Sequence, residues 1–231
     1  MEDCSKYIFI WKNDFFRMTD YFFDKKKKIF YDLTNIKTGE EYSDVPQDEV
    51  AIYKGVYSVD GLKDLPSPDF LFFWRPFNFG KRIGPGVFSQ WYVSPFVIDG
   101  ITYDTAERYM MAQKAKYFND IDVFHQIMSA ETAAECKILG KKVKNFVEDK
   151  WNEVKGAIIF NANIAKFSQN KVLRKYLLAT KDTVLAEASP FDRVYGIGML
   201  ADSDARIWSN WKGQNLLGFV LMEVRDYLRK K

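Results

Sequence analysis

Only two cysteines, Cys4 and Cys136, occur in 231 residues, too few for a disulfide framework or a paired-cysteine zinc site. Histidine is scarcer still. His125 stands alone between apolar positions at helical spacing, which excludes a histidine-based zinc centre and reads as a structural side chain. Long apolar runs are missing: stretches such as Tyr7–Trp11 and Phe70–Trp74 are far too short to cross a bilayer. The first residues carry no basic segment followed by an apolar one, so a signal peptide is not expected. A Gly-x-Ser-x-Gly elbow, a Walker phosphate loop and the sequence signature of a DNA-binding module are also absent. The expectation is a soluble, cytoplasmic protein without membrane partner, metal or cofactor. Any chemistry would rest on carboxylates, lysines and aromatic rings.

Aromatics are what the chain has in excess: 20 Phe, 13 Tyr and 6 Trp, enough for a large core and also for gripping planar ligands. Charge is uneven. Residues 1–70 hold 10 Lys and Arg against 14 Asp and Glu, a net −4, whereas residues 71–231 carry +7, for +3 overall. A mildly basic C-terminal part suits a phosphorylated ligand and equally a neutral one. The runs Lys25–Lys28 and Arg229–Lys231 read as solvated surface or tail rather than nucleic-acid patches.

Residues 1–69 read as a β- and loop-rich extension, with short strands at Tyr7–Trp11, Ile29–Leu33 and Val50–Val59 between turn signals. Leu65–Asp69 reads as a linker and Phe70–Trp74 as a strand. The stretch from Arg75 to Gly86 is rich in glycine and basic residues and suits either a phosphate cradle or a surface loop. Phe96–Tyr103 reads as a hairpin turning at Asp99-Gly100. From Asp104 the period becomes helical, with Asp104 as N-cap and Glu107 completing a capping box. Trp151, Val154, Ile158, Ala162 and Ala165 form a buried stripe on a later helix, Thr183–Ala188 a short strand, and residues 216–228 the most regular amphipathic helix. The expected fold class is mainly α: a helical domain over residues 70–231 with a few short strands, preceded by the extension.

Seven segments occur in an order that resembles the NADAR, or YbiA-like, family. They are Gly86–Phe96, Tyr103–Lys114, Lys166–Asn170, Leu177–Thr180, Glu187–Asp192, Tyr195–Gly198 and Trp211–Gly218, so the resemblance covers roughly residues 70–229. It implies a compact, mostly helical fold and N-glycosidase chemistry. The substrates implied are phosphorylated N-ribosides: early riboflavin-pathway intermediates, or ADP-ribosylated guanine in nucleic acid. Two departures stand out. Tyr195 replaces the tryptophan common before Gly-Ile-Gly, and Phe-Ser-Gln-Trp replaces the commoner Leu-Ser-Asn-Phe.

By this resemblance Glu107 is the candidate acid/base, because cleaving an N-glycosidic bond needs a proton for the leaving amine and an anion opposite the developing cation. Lys114, two helical turns further on, is the candidate nucleophile able to form an imine at ribose carbon 1, or else an electrostatic partner. Asp192 joins them as a catalytic candidate that holds ribose hydroxyls or orients water. Ser89, Trp91, Trp151 and Tyr195 are candidate substrate contacts. Gly196 would allow close backbone approach, and Asn215 would bind ligand or cap backbone. Three readings remain open: a metal-independent N-glycosidase of small phosphorylated ribosylamines, a hydrolase of ADP-ribosyl-guanine on nucleic acid, and a silent NAD or ADP-ribose binding module in which Glu107 only caps its helix.

Overall fold

A computed structural model of the chain describes residues 4–77, 83–202 and 204–231. Its first part is one antiparallel sheet of β1 (Ile8–Trp11), β2 (Asp14–Phe23), β3 (Ile29–Asn35), β4 (Glu41–Pro46) and β5 (Ala51–Tyr53), in the order β4-β3-β2-β1-β5. The turns explain this order. Lys12 and Asn13 both take positive φ, the conformation that joins two twisted strands in the fewest residues. Between β3 and β4 the Asn35 side chain accepts the Lys37 and Thr38 amides, and Gly39 supplies φ +75.

The expected mainly α class is therefore corrected. The fold is mixed α/β, with 41% helix and 20% strand, and its largest sheet has five strands. The expectation rested on the helical two-thirds and treated the early strands as isolated. Successive hairpins instead join β1 to β4, β5 returns to pair with β1, and the unexpected β2 and β4 complete the sheet. The strand expected over Val50–Val59 is confined to Ala51–Tyr53.

The remaining strands are short: β6 (Phe70–Phe73) pairs in parallel with β9 (Val184–Glu187), and β7 (Phe96–Ile98) forms the anticipated hairpin with β8 (Ile101–Tyr103). Around them pack α1 (Ala106–Tyr117), α2 (Ile121–Ser129), α3 (Ala133–Gly140), α4 (Glu148–Gln169), α5 (Lys171–Ala179) and α6 (Leu216–Arg229). α4 buries Trp151, Val154, Ile158, Ala162 and Ala165 as its spacing predicts, and α6 lies against both α4 and β9. The start of α1 departs from expectation. Thr105, not Asp104, is the N-cap and accepts the Arg108 amide at 3.2 Å, while Asp104 holds the Arg108 guanidinium at 2.6 Å. No capping box forms there, so Glu107 is released from that duty.

The sheet shares the helical core: Ile8, Ile10, Phe15 and Leu62 pack in one cluster with α1, α4 and α6. Polar bonds hold the seam. The Asn13 side-chain oxygen accepts from the buried Tyr109 hydroxyl at 2.6 Å and from Asn161 at 2.8 Å. The Glu223 carboxylate accepts the backbone amides of Lys54 and Gly55. Among the described residues no helix is long and apolar enough to cross a membrane. Asn13→Gly keeps the left-handed backbone but strands the Tyr109 proton, which should cost roughly 1–3 kcal/mol, or a fall of about 2–10 °C in Tm. An unchanged melting curve would show that Asn13 does not hold the seam.

Candidate active site

A cavity of about 470 Å³ opens where the C-terminal ends of β6 and β9 meet α1. The end of β6 contributes Trp74–Phe77, the turn before β7 contributes Ser89, Gln90 and Trp91, and α1 contributes Glu107, Met110 and Met111. Lys137 enters from α3, while Glu187, Ser189, Phe191, Asp192 and Tyr195 follow from β9 and its loop. The walls are thus mostly rings and methionines, the usual lining of a small-molecule site, with carboxylates placed among them.

Glu107 sits in the first turn of α1, and its own amide is bound to the Gln90 carbonyl at 3.0 Å. Its carboxyl is buried, and Oε1 has no hydrogen-bond partner. Burial raises its pKa to about 7; the Lys137 charge and the Trp91 indole act in the opposite direction, and Asp192 adds to the rise. Glu187, the last residue of β9, also has an unpartnered buried oxygen, Oε2. Burial raises its pKa to about 8, with Asp192 contributing further. Asp192 differs: its Oδ1 accepts the Val194 and Tyr195 amides, and its Oδ2 lies 3.7 Å from the Lys137 ammonium. Gln90 adds a donor, since its oxygen is taken by Asn163 at 3.0 Å and its Nε2 is buried without a partner. Behind it the fully buried Lys166, whose pKa burial lowers to about 7, donates to the Ser89 carbonyl at 3.0 Å.

Of the residues singled out from sequence, Ser89, Trp91, Glu107, Asp192 and Tyr195 line this cavity together. The other four do not. The Lys114 ammonium donates to the Gly140 carbonyl at 2.9 Å and stands 4.1 Å from the Phe146 ring centre. Trp151 lies behind the wall, where its indole donates toward the buried Tyr195 phenol; burial raises the phenol's pKa and this contact offsets part of the rise. Gly196 packs against protein, since a Cβ there would stand 2.7 Å from the Glu187 carbonyl. Asn215 is wholly buried, donates to the Leu185 carbonyl and accepts the Glu187 amide.

Sequence reasoning passed over Glu187, Lys137 and Gln90. Glu187 and Gln90 lay inside matching segments, and a carboxylate ending an apolar strand was the available signal. Lys137 carried none, being one lysine among many on a short helix. Part of the basic stretch from Arg75 to Gly86, residues 78–82, lies outside the described residues. Among the described residues no group of three or more His, Cys, Asp or Glu is arranged to hold a metal ion.

The site is a ring-walled cavity with two buried carboxyls of raised pKa and a third carboxylate beside a lysine. The chain belongs to the NADAR domain family, whose pattern matches residues 72–229. It is 42% identical over 152 residues to N-glycosidase R617 of Acanthamoeba polyphaga mimivirus, a match spanning 63% of this chain and 89% of that protein. N-glycosidase YbiA of Escherichia coli is 34% identical over 143 residues, covering 62% of this chain and 81% of YbiA. The solved YbiA structure superposes with a TM-score of 0.58 at 27% identity, over 72% of this chain and 94% of that one. A Vibrio vulnificus protein named for riboflavin biosynthesis is 29% identical over 145 residues, which span 63% of this chain and 36% of that protein.

Raised carboxyl pKa values have a consequence for stability. The unfolded chain releases the Glu187 proton near the ordinary value of 4.5, and the folded chain holds it to about 8. Across that window the native state binds more protons, so stability falls as pH rises. Glu187→Gln removes this penalty. Its Tm should therefore exceed that of the wild type at pH 8, with the gap closing toward pH 4.5, at about 2–4 °C per kcal/mol. A gap independent of pH would place the Glu187 carboxyl in water.

Proposed function

We propose that the chain is an N-glycosidase that hydrolyses a phosphorylated N-riboside of the kind found early in riboflavin biosynthesis. The observation that carries this reading is the pair of buried carboxyls, Glu107 and Glu187, which line one ring-walled cavity and each keep an oxygen without a protein partner. The names of the mimiviral, bacterial and Vibrio relatives support the reaction and the substrate class.

Glu107 in its protonated form donates to the departing nitrogen as the bond to ribose carbon 1 breaks. The Asp192 carboxylate, held by the Val194 and Tyr195 amides and the Lys137 ammonium, opposes the developing positive charge and takes a proton from the water that adds to carbon 1. The Asp192 charge helps to keep Glu107 protonated, which suits this division between a donating carboxyl and a carboxylate. Trp91 and Tyr195 flank the base, and Arg75 and Lys137, the cations lining the cavity among the described residues, meet a phosphate. Against the silent-module reading, Thr105 caps α1, so helix capping does not account for Glu107. The ADP-ribosyl-guanine reading keeps one specific support: Phe191, 88% exposed beside the cavity, offers a face to a second ring.

Incubation with the riboflavin intermediates, ADP-ribosylated guanine oligonucleotides and NAD, with base release followed by chromatography, separates these readings. Turnover of the first is expected; binding of all three without turnover overturns the proposal. Glu107→Gln should lower kcat by roughly 10²–10⁴-fold without lowering Tm. The Lys137 charge favours ionised Glu107, so Lys137→Met should move the alkaline limb of the kcat profile to higher pH. A limb that stays in place separates Glu107 from that titration.

Lys114→Arg tests the imine. An arginine keeps the charge beside Phe146 and Gly140 but forms no imine. We expect activity within a few-fold of wild type and no borohydride-trapped adduct at Lys114. Inactivity of a folded Arg variant would restore the lysine to the reaction.

A further inference from the structure

The outer half of the β2–β3 hairpin has no part in the cavity and lies outside the family match. β1 pairs with β2 only as far as Phe16, so beyond that point no strand pairs with this edge of β2 among the described residues. Residues 19–23 are exposed one after another, on both faces of the strand, while on the far side its partner β3 is paired with β4 as far as Phe30. Its side chains are unusual for such a position. Tyr21, Phe22 and Phe23 are 37%, 41% and 58% exposed. Phe22 stacks on Phe30 across the ladder at 5.4 Å, and Tyr21 meets Phe23 on the opposite face at 5.9 Å. The turn beyond them carries Lys25, Lys26, Lys27 and Lys28, all exposed. Asp24 spends its carboxylate on the amides of Lys26 and Lys28, and no ion pair engages the four ammonium groups among the described residues.

Exposed rings backed by unpaired lysines match a polyanion that also has flat faces. We infer that this ribbon is a docking surface for single-stranded nucleic acid, its phosphates on Lys25–Lys28 and its unpaired bases on Tyr21, Phe22 and Phe23. The order of groups along the ribbon decides against an anionic membrane. A membrane-seeking finger carries its rings outermost and its lysines behind, whereas here the lysines form the tip and the rings sit nearer the body. Duplex DNA is also disfavoured, because its bases are already stacked. Sequence alone left these lysines as solvated surface, since the strand pairing that places rings beside them is not visible in a run of charges.

The test uses the full chain and a fluorescein-labelled 20-nucleotide single strand, read by anisotropy across a salt series, with the matching duplex and phosphatidylserine vesicles in parallel. Tighter binding to the single strand than to duplex or vesicles is expected. Replacing all four lysines by Ala should flatten the dependence of log K on log salt by roughly 2–3. F22A/F23A should weaken binding about 5- to 100-fold at an unchanged salt slope. All these positions are exposed, and unchanged Tm values confirm that the variants fold. Base release from a small ribosylamine phosphate should be the same in both variants, which keeps this inference separable from the reading of the cavity. Absence of single-strand binding, binding that survives the four lysine changes, or a preference for vesicles overturns it.

Discussion

The buried amide of Asn215 joins the end of β9 to the start of α6, and the cavity depends on that joint. The side chain bonds to the Leu185 carbonyl and the Glu187 amide, and its backbone takes φ +54 so that α6 can begin directly beneath the strand. Gly218 makes the approach possible, because a Cβ there would stand 2.1 Å from the Leu185 carbonyl. The backbone from Lys212 to Leu217 then bonds to successive residues of the loop from Arg193 to Ile197. That loop carries Tyr195 and follows Asp192. One side chain in a left-handed turn therefore sets the position of Glu187 and the wall opposite Glu107.

Within that frame the site opposes two preferences of a carboxyl group. The first turn of α1 carries the partial positive charge of the helix, which favours the anion. Removal from water favours the acid, and for Glu107 burial prevails. Lys137 remains partly exposed and moderates the balance from a distance. A carboxyl with a usable proton near neutrality results from burial that is strong but incompletely offset.

Local patterning made much of this readable. The apolar face of α6, the stripe of α4 and the Asp99-Gly100 hairpin each depend on neighbours within a few residues, and each formed where its spacing placed it. What depends on distant partners was hidden. The five-stranded sheet requires pairing choices that alternation alone does not specify. The cap of α1 moved by one residue because Asp104 is drawn to Arg108. Lys137 reaches the carboxylates only because α3 packs across α1, and Lys114 is turned away because the Gly140 carbonyl and the Phe146 ring offer it a place. Family motifs named residues near the cavity without separating those that face it from those, such as Asn215, that build it.

The bond from Glu223 to Lys54 and Gly55 ties residues separated by about three-quarters of the sequence. During synthesis the early sheet emerges long before α6, the element that must receive it. Its hairpins can form at once, but the side of the sheet that meets α4 and α6 stays uncovered until α6 has been made. Loss of α6 would leave not a shorter working chain but an adhesive intermediate, with Ile8, Ile10 and Phe15 uncovered and Leu217 gone from the cavity.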